Sequence, residues 1–111
     1  MTPYIQVVTT VADQTSAEQL ATVLLEKKLA ACIQVTPCTS MYRWQGKVEQ
    51  DVELVCTIKT RRDLFPLLCK IIQTHHAYEV PEILAVPVLT GAESYLEWME
   101  NELVPSPEVN D

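Results

Sequence analysis

Lys47-Val48-Glu49-Gln50-Asp51-Val52-Glu53-Leu54-Val55-Cys56-Thr57-Ile58-Lys59 alternates strictly enough to decide the architecture. Its even positions are Val48, Gln50, Val52, Leu54, Cys56 and Ile58, while the odd ones include Glu49, Asp51, Glu53 and Lys59. Successive side chains of a strand point to opposite faces, so this period of two predicts a long, half-buried β-strand. Upstream, Gln45-Gly46 has the composition of a two-residue hairpin turn. Such a turn pairs Trp44 with Lys47 and, further out, Val35 with Cys56 and Ile33 with Ile58. Met41, Val35 and Ile33 then share the apolar face with the even positions. The other face carries Trp44, Tyr42, Ser40 and Cys38 opposite Lys47, Glu49, Asp51 and Glu53. Pro37 cannot donate to a ladder and is expected to mark a bulge, with the pairing N-terminal to it shifted by one.

Outward from the hairpin, strand and helix signals alternate. Tyr4 to Val11 is an apolar, β-branched run that predicts a central strand. Thr15-Ser16-Ala17-Glu18 has the form of a capping box ahead of Leu20, Leu24 and Leu25, predicting a helix to about Lys28. Thr60-Arg61-Arg62-Asp63 is a weaker version ahead of Leu64, Leu67, Leu68, Ile71 and Ile72. Thr90-Gly91-Ala92-Glu93 is a third, ahead of Tyr95, Trp98, Met99 and Leu103. Glu82 to Val88, bracketed by Pro81 and containing Pro87, suits a strand ending at a sheet edge. The order β-α-β-β-α-β-α defines an α+β, ferredoxin-like split-βαβ fold with a long β-hairpin and an added C-terminal helix. Residues 1–103 form one domain, and 104–111 are expected to be a flexible C-terminal tail.

Composition narrows the function. A chain of 111 residues, 48% hydrophobic, holds one core. A net charge of −7 opposes attraction to phosphate, so neither nucleic acid nor an anionic membrane is an expected partner. No apolar run approaches the roughly 20 residues that span a bilayer, and Met1-Thr2-Pro3-Tyr4 resembles no signal, so a cytoplasmic location is expected. Cys32, Cys38, Cys56 and Cys69 lack C-x-x-C spacing and read as free, buried core thiols, inert as nucleophiles. The two glycines, Gly46 and Gly91, cannot build a phosphate-cradling loop, and no G-x-S-x-G elbow is present. No enzymatic activity is expected.

One segment concentrates chemistry: His75-His76-Ala77-Tyr78-Glu79-Val80-Pro81-Glu82. Two readings stand side by side. In the first, the histidines end helix two, where imidazolium complements the helix dipole, and Tyr78 packs. In the second, His75 or His76 joins Glu79 or Glu82 in a divalent-cation site whose nitrogen and oxygen donors rank copper(II) highest. Adjacent helical residues diverge by about 100°, so at most one imidazole can serve a given ligand set. No Lys or Arg occurs between Ile71 and Asp111, whereas eight of the chain's fifteen acids lie there, a field that favours a cation.

Several segments together resemble one family. They are Glu26-Lys27-Lys28-Leu29-Ala30-Ala31-Cys32, Tyr42-Arg43-Trp44-Gln45-Gly46-Lys47-Val48-Glu49, Glu53 through Thr60, His75-x-x-Tyr78-Glu79-x-Pro81-Glu82-Ile83, and Tyr95-Leu96-Glu97-Trp98. In this order they are similar to the successive signatures of the CutA family of divalent-cation tolerance proteins, over residues 4 to 103. The resemblance implies a homotrimer similar in architecture to PII signalling proteins, tied to tolerance of copper (Cu2+) or another divalent cation, with no organic cofactor. It also implies a ligand role for the region of His75 and His76, helped in some members by a first-strand cysteine; here that strand offers Thr9 and Thr10 instead. A second function class remains open, a PII-like small-molecule sensor or protein scaffold using clefts between subunits. An acylphosphatase-like hydrolase on the same fold would need an anion cradle that the glycine count denies. The hairpin supports the oligomer on its own. Fourteen-residue strands reach roughly 45 Å, more than the ~35 Å breadth of a compact chain, leaving Tyr42 and Trp44 on an overhanging end as candidate subunit-interface residues.

Overall fold

The computed structural model describes residues 1–106. Its elements are β1 (Tyr4–Val11), α1 (Gln14–Glu26), β2 (Cys32–Trp44), β3 (Lys47–Arg61), a 3-10 turn (Arg62–Leu64), α2 (Phe65–His75), β4 (Leu84–Pro87) and α3 (Glu93–Glu102). One antiparallel sheet in the order β2-β3-β1-β4 carries the expected ferredoxin-like topology.

The hairpin register follows from the turn. Gln45 and Gly46 both take positive φ, as a type I′ turn requires, and Trp44 closes on Lys47. From there the pairing runs unbroken to Cys32 opposite Lys59, so the bulge expected at Pro37 is absent. β2 is an edge strand. With Trp44 and Lys47 as the hydrogen-bonded closing pair, odd-numbered β2 residues turn their backbone nitrogens away from β3, and Pro37 forfeits no ladder bond.

Alternation then sorts the sheet into two faces. Ile5, Val7, Thr9 and Val11 of β1 join Cys56, Ile58 and Thr60 of β3 on the buried face. There they meet Ala17, Leu20 and Leu24 of α1 and Leu68 and Ile72 of α2. The opposite face receives α3 at one end: Tyr4 Oη donates to Glu100 (2.7 Å), and Arg61 Nη1 reaches the other oxygen of the same carboxylate (3.2 Å). Within α3, Met99 is buried, as is Leu103 just beyond it. Tyr95 and Trp98 stay exposed and stack on each other with ring centroids 5.5 Å apart.

Three helix starts differ from expectation. Asp13, not Thr15, caps α1, its Oδ1 accepting from Ser16 N–H at 2.8 Å. A carboxylate that accepts two residues earlier lets the helix begin at Gln14. Thr60 does not cap α2, because β3 continues through Arg61 and Thr60 Oγ1 donates to Leu29 carbonyl oxygen at 2.6 Å. The chain then turns through a 3-10 step into Phe65-Pro66, where proline suits the first helical turn. Ala92 opens α3 with no side-chain cap. β4 is shorter than Glu82–Val88 and fully exposed, as befits an edge. The start of the expected tail is docked: Val104 N–H donates to Lys28 carbonyl oxygen, Arg61 Nη2 to Val104 carbonyl oxygen, and Ser106 Oγ to Asp63. Residues 107–111 lie outside the described residues.

β1 ends opposite Leu54. Beyond that point Cys38–Trp44 and Lys47–Glu53 pair only with each other, a two-stranded ribbon that helps stretch the molecule to 47 × 26 × 24 Å.

Candidate functional site

The ribbon's base forms one wall of a cleft of about 510 Å³. Ser40, Tyr42 and Trp44 enter it from β2, Asp51 and Glu53 from β3, and Thr10 from the end of β1. The turn from Tyr78 to Glu82 closes the other side. These strand positions share the face opposite α1 and α2, as their cross-strand partners show: Cys38 with Glu53, Ser40 with Asp51, Tyr42 with Glu49.

Two phenol–carboxylate pairs organise the cleft. Tyr78 Oη donates to Glu53 Oε2 at 2.7 Å, tying the turn to β3. Tyr42 Oη donates to Asp51. Burial, then the bond to Glu53 and its charge, push the Tyr78 phenol well above its ordinary value. The bond to Asp51 pushes Tyr42 up to about 12, with desolvation and the neighbouring acids adding to it. Both phenols therefore remain donors at neutral pH, each spending its proton on a carboxylate oxygen. Glu53 is only 5% exposed, yet no Lys, Arg or His forms an ion pair with it among the described residues. The alternation treats Glu53 as a solvent-facing acid. Its burial comes from the returning turn, which no local pattern encodes, and Tyr78 in the 75–82 segment is the one signal that could have pointed to it.

The four expected metal donors are divided. His76 makes two bonds, Nε2–H donating to Thr10 carbonyl oxygen (2.6 Å) and Nδ1 accepting from Tyr78 N–H (3.0 Å), which assigns a neutral tautomer with no free nitrogen. His75 uses Nδ1 on Ile71 carbonyl oxygen (3.0 Å) at the exposed end of α2, leaving Nε2 open. Both imidazoles border a small cavity against Val11, Leu20 and Ile72, on the helix side of the sheet. Glu79 and Glu82 border the large cleft on the other side. Among the described residues no group of three His, Cys, Asp or Glu side chains is gathered as a metal ion requires. A preformed metal centre does not fit the residues as they stand.

The thiols also separate from expectation. Cys56 alone is buried, and its environment raises its pKa through desolvation. Cys32 and Cys38 are half-exposed on edge strand β2, and Cys69 is half-exposed on α2. Among the described residues no helix is long and apolar enough to cross a membrane.

The four-stranded antiparallel sheet, the projecting hairpin and the aromatic, acid-lined cleft at its base define a ferredoxin-like α+β domain. The family model described as "CutA1 divalent ion tolerance protein" matches residues 5–102, and the chain belongs to that family. The divalent-cation tolerance protein CutA of Thermus thermophilus is 43% identical over 94 residues, covering 84% of this chain and 91% of that protein. The chloroplastic protein CutA of Arabidopsis thaliana is 40% identical over 100 residues, or 89% of this chain, which spans only 55% of that relative. Among solved structures, CutA1 from Oryza sativa superimposes with a TM-score of 0.90 at 39% identity, covering 94% of this chain and 96% of that one. A periplasmic divalent cation tolerance protein CutA from Archaeoglobus fulgidus gives 0.88 at 33% identity, with 89% and 97% covered. The relatives' names place them in chloroplast and periplasm, so they do not support the cytoplasmic location expected for this chain. Those names state a tolerance to cations, not a reaction.

Proposed function

We propose that this chain acts as a homotrimer in the cellular response to divalent cations, copper(II) foremost, without catalysing a reaction. The observation that carries the trimer is the ribbon: Met41, Val48 and Val52 lie on its apolar face beyond the reach of α1 and α2, each more than 70% exposed. A two-stranded hairpin is marginal alone in water, and an uncovered apolar stripe on it calls for a neighbouring chain. Tyr42 and Trp44, half-exposed on the reverse of the same ribbon, extend that surface. Sedimentation equilibrium at micromolar concentration is expected to give three times the 12.5 kDa chain mass; a species of one chain mass would overturn the reading.

For the cation, the open donors of the 75–82 turn are His75 Nε2 and the carboxylates of Glu79 and Glu82, while His76 is engaged twice. Since they lie on two sides of the sheet, contact rests on one or two protein donors completed by water, which implies modest affinity and no role in folding. Copper(II) titration at pH 7.5 is expected to weaken in His75→Ala and in the Glu79→Gln, Glu82→Gln pair but to survive His76→Ala. Identical titrations for all variants would remove the turn from the metal response. The family's sensor-like alternative is favoured by the cleft itself, whose volume lies in the range that holds small ligands. A cytoplasmic location, consistent with four free thiols, is checked by cell fractionation.

A further inference from the structure

The cleft at the ribbon's base has a specific chemical bias. Its deepest acid, Glu53, is nine-tenths buried and accepts one hydrogen bond, at Oε2 from Tyr78; no hydrogen bond to Oε1 is formed among the described residues. Buried carboxylates in folded proteins are normally paired with a cation, because a desolvated charge without a counter-charge is costly. Here no lysine or arginine lines the cleft, and three further acids, Asp51, Glu79 and Glu82, do. The remaining wall is aromatic: Trp44, Tyr42 and Tyr78. Aromatic faces attract cations that can shed water, which an alkylammonium does and a small hydrated metal ion does not. The acids of the cleft are also not gathered into a group of three able to hold a metal. We infer that this cleft is a binding site for a small organic cation, an aliphatic amine whose ammonium pairs with Glu53 and whose carbon chain lies along Trp44 and Tyr42.

The phenols support that role. Tyr78 and Tyr42 stay protonated far above neutral pH and hold the Glu53 and Asp51 carboxyl groups in place as acceptors, leaving carboxylate oxygens for the ligand. The cleft's volume accommodates a ligand of several carbons. In a trimer, a neighbouring chain seated on the exposed edges of Tyr42 and Trp44 would roof the cleft and exclude more water. The inference shares the cleft with the sensor alternative but depends on neither the trimer nor the metal contact.

The test uses the full chain with 1,5-diaminopentane, followed by calorimetry and by Trp44 fluorescence in a Trp98→Phe background, since the chain has two tryptophans. Neutral 1,5-pentanediol serves as the uncharged isostere and magnesium chloride at matched ionic strength as the control for bulk charge. The diammonium is expected to bind once per chain at concentrations where the diol gives no signal and magnesium does not displace it. Glu53→Gln should weaken it at least tenfold and Trp44→Ala about fivefold. If Glu53→Gln fails to fold by circular dichroism, the Glu79→Gln, Glu82→Gln variant of the exposed turn carries the test, with a loss of threefold or more expected. Equal binding of diol and diammonium, no binding at millimolar concentration, complete displacement by magnesium, or affinity unchanged in the acid variants would each overturn the inference. Sedimentation of the same samples separates the claims: a trimer that ignores the diammonium overturns only this one, and a monomer that binds it overturns only the trimer.

Discussion

Thr9 sits at the middle of β1 with no exposed surface, and its hydroxyl has no hydrogen-bond partner among the described residues. Its neighbours are apolar because it points toward α1 and α2, opposite Cys56. An unpaired buried hydroxyl costs roughly 1–3 kcal/mol, so Thr9→Val, nearly equal in volume, is expected to stabilise the fold by about 1 kcal/mol. Urea denaturation checks this, and a lower midpoint for the variant would show that the hydroxyl has a partner. Arg61 is the opposite case, a buried cation whose donors are shared among Asp63, Glu100 and Val104 carbonyl oxygen. Burial works to raise the Asp63 pKa, but bonds from Ser106 and Arg61, with the charge of Arg61, outweigh it and hold the carboxyl below its ordinary 3.8. A depressed folded-state pKa stabilises above the unfolded value and loses that contribution as pH falls through the folded one. Stability should therefore decline below pH 3.8, and Asp63→Asn should flatten that acid limb; a variant as acid-sensitive as the wild type would show that the Asp63 carboxyl does not carry it. Native-state thiol labelling supplies a third check: Cys56 is expected to be protected, and Cys32, Cys38 and Cys69 to react in slow, partial fashion.

At the scale of elements, the end of α1 shows how an unfavourable residue can occupy a required geometry. Leu29 N–H bonds Leu24 carbonyl oxygen and Lys28 N–H bonds Leu25 carbonyl oxygen, the two reversed bonds of a Schellman ending. That ending needs the left-handed conformation, and Lys28 adopts it at φ 57. A side chain there is strained by roughly 1–2 kcal/mol and glycine's extra unfolded-state entropy costs about 0.5–1 kcal/mol, so Lys28→Gly should raise stability by about 0.5–1 kcal/mol. Thermal denaturation would show the gain, and a loss would mean that the lysine stem packs usefully. The hairpin was legible in advance because its signal is local: a period of two and a turn dipeptide fix the register from Trp44–Lys47 to Cys32–Lys59. The helix starts were less so, since Ser, Thr and Asp compete within a few residues and the winner, Asp13 at α1, depends on where β1 releases the chain. The cleft was least legible. Glu53 and Tyr78 are 25 residues apart, and only the path of the turn after α2 brings them into contact.

The molecule as a whole is longer than its core can account for. Its Cα radius of gyration is 14.9 Å, against about 13 Å for a compact chain of this length. The excess is the ribbon beyond β1, where β3 changes from buried or half-buried at Glu53 and beyond to exposed from Lys47 to Val52. Val48 and Val52 continue the same alternation that buries Cys56 and Ile58, so the apolar face outruns the helices that cover it. In the proposed trimer a neighbouring chain supplies the cover that the helices of this chain do not. Val52→Asp places a charge in the middle of that stripe while touching nothing in its own core. It is expected to leave the far-ultraviolet circular dichroism of the chain unchanged and to raise the dissociation constant of the proposed trimer at least tenfold, about 1.4 kcal/mol. Glu49→Gln, on the reverse of the same ribbon, is the control for altered charge alone. A Val52→Asp protein that sediments as the wild type does would show that the stripe lies outside the subunit contact, and the ribbon would then need another partner to explain its apolar face.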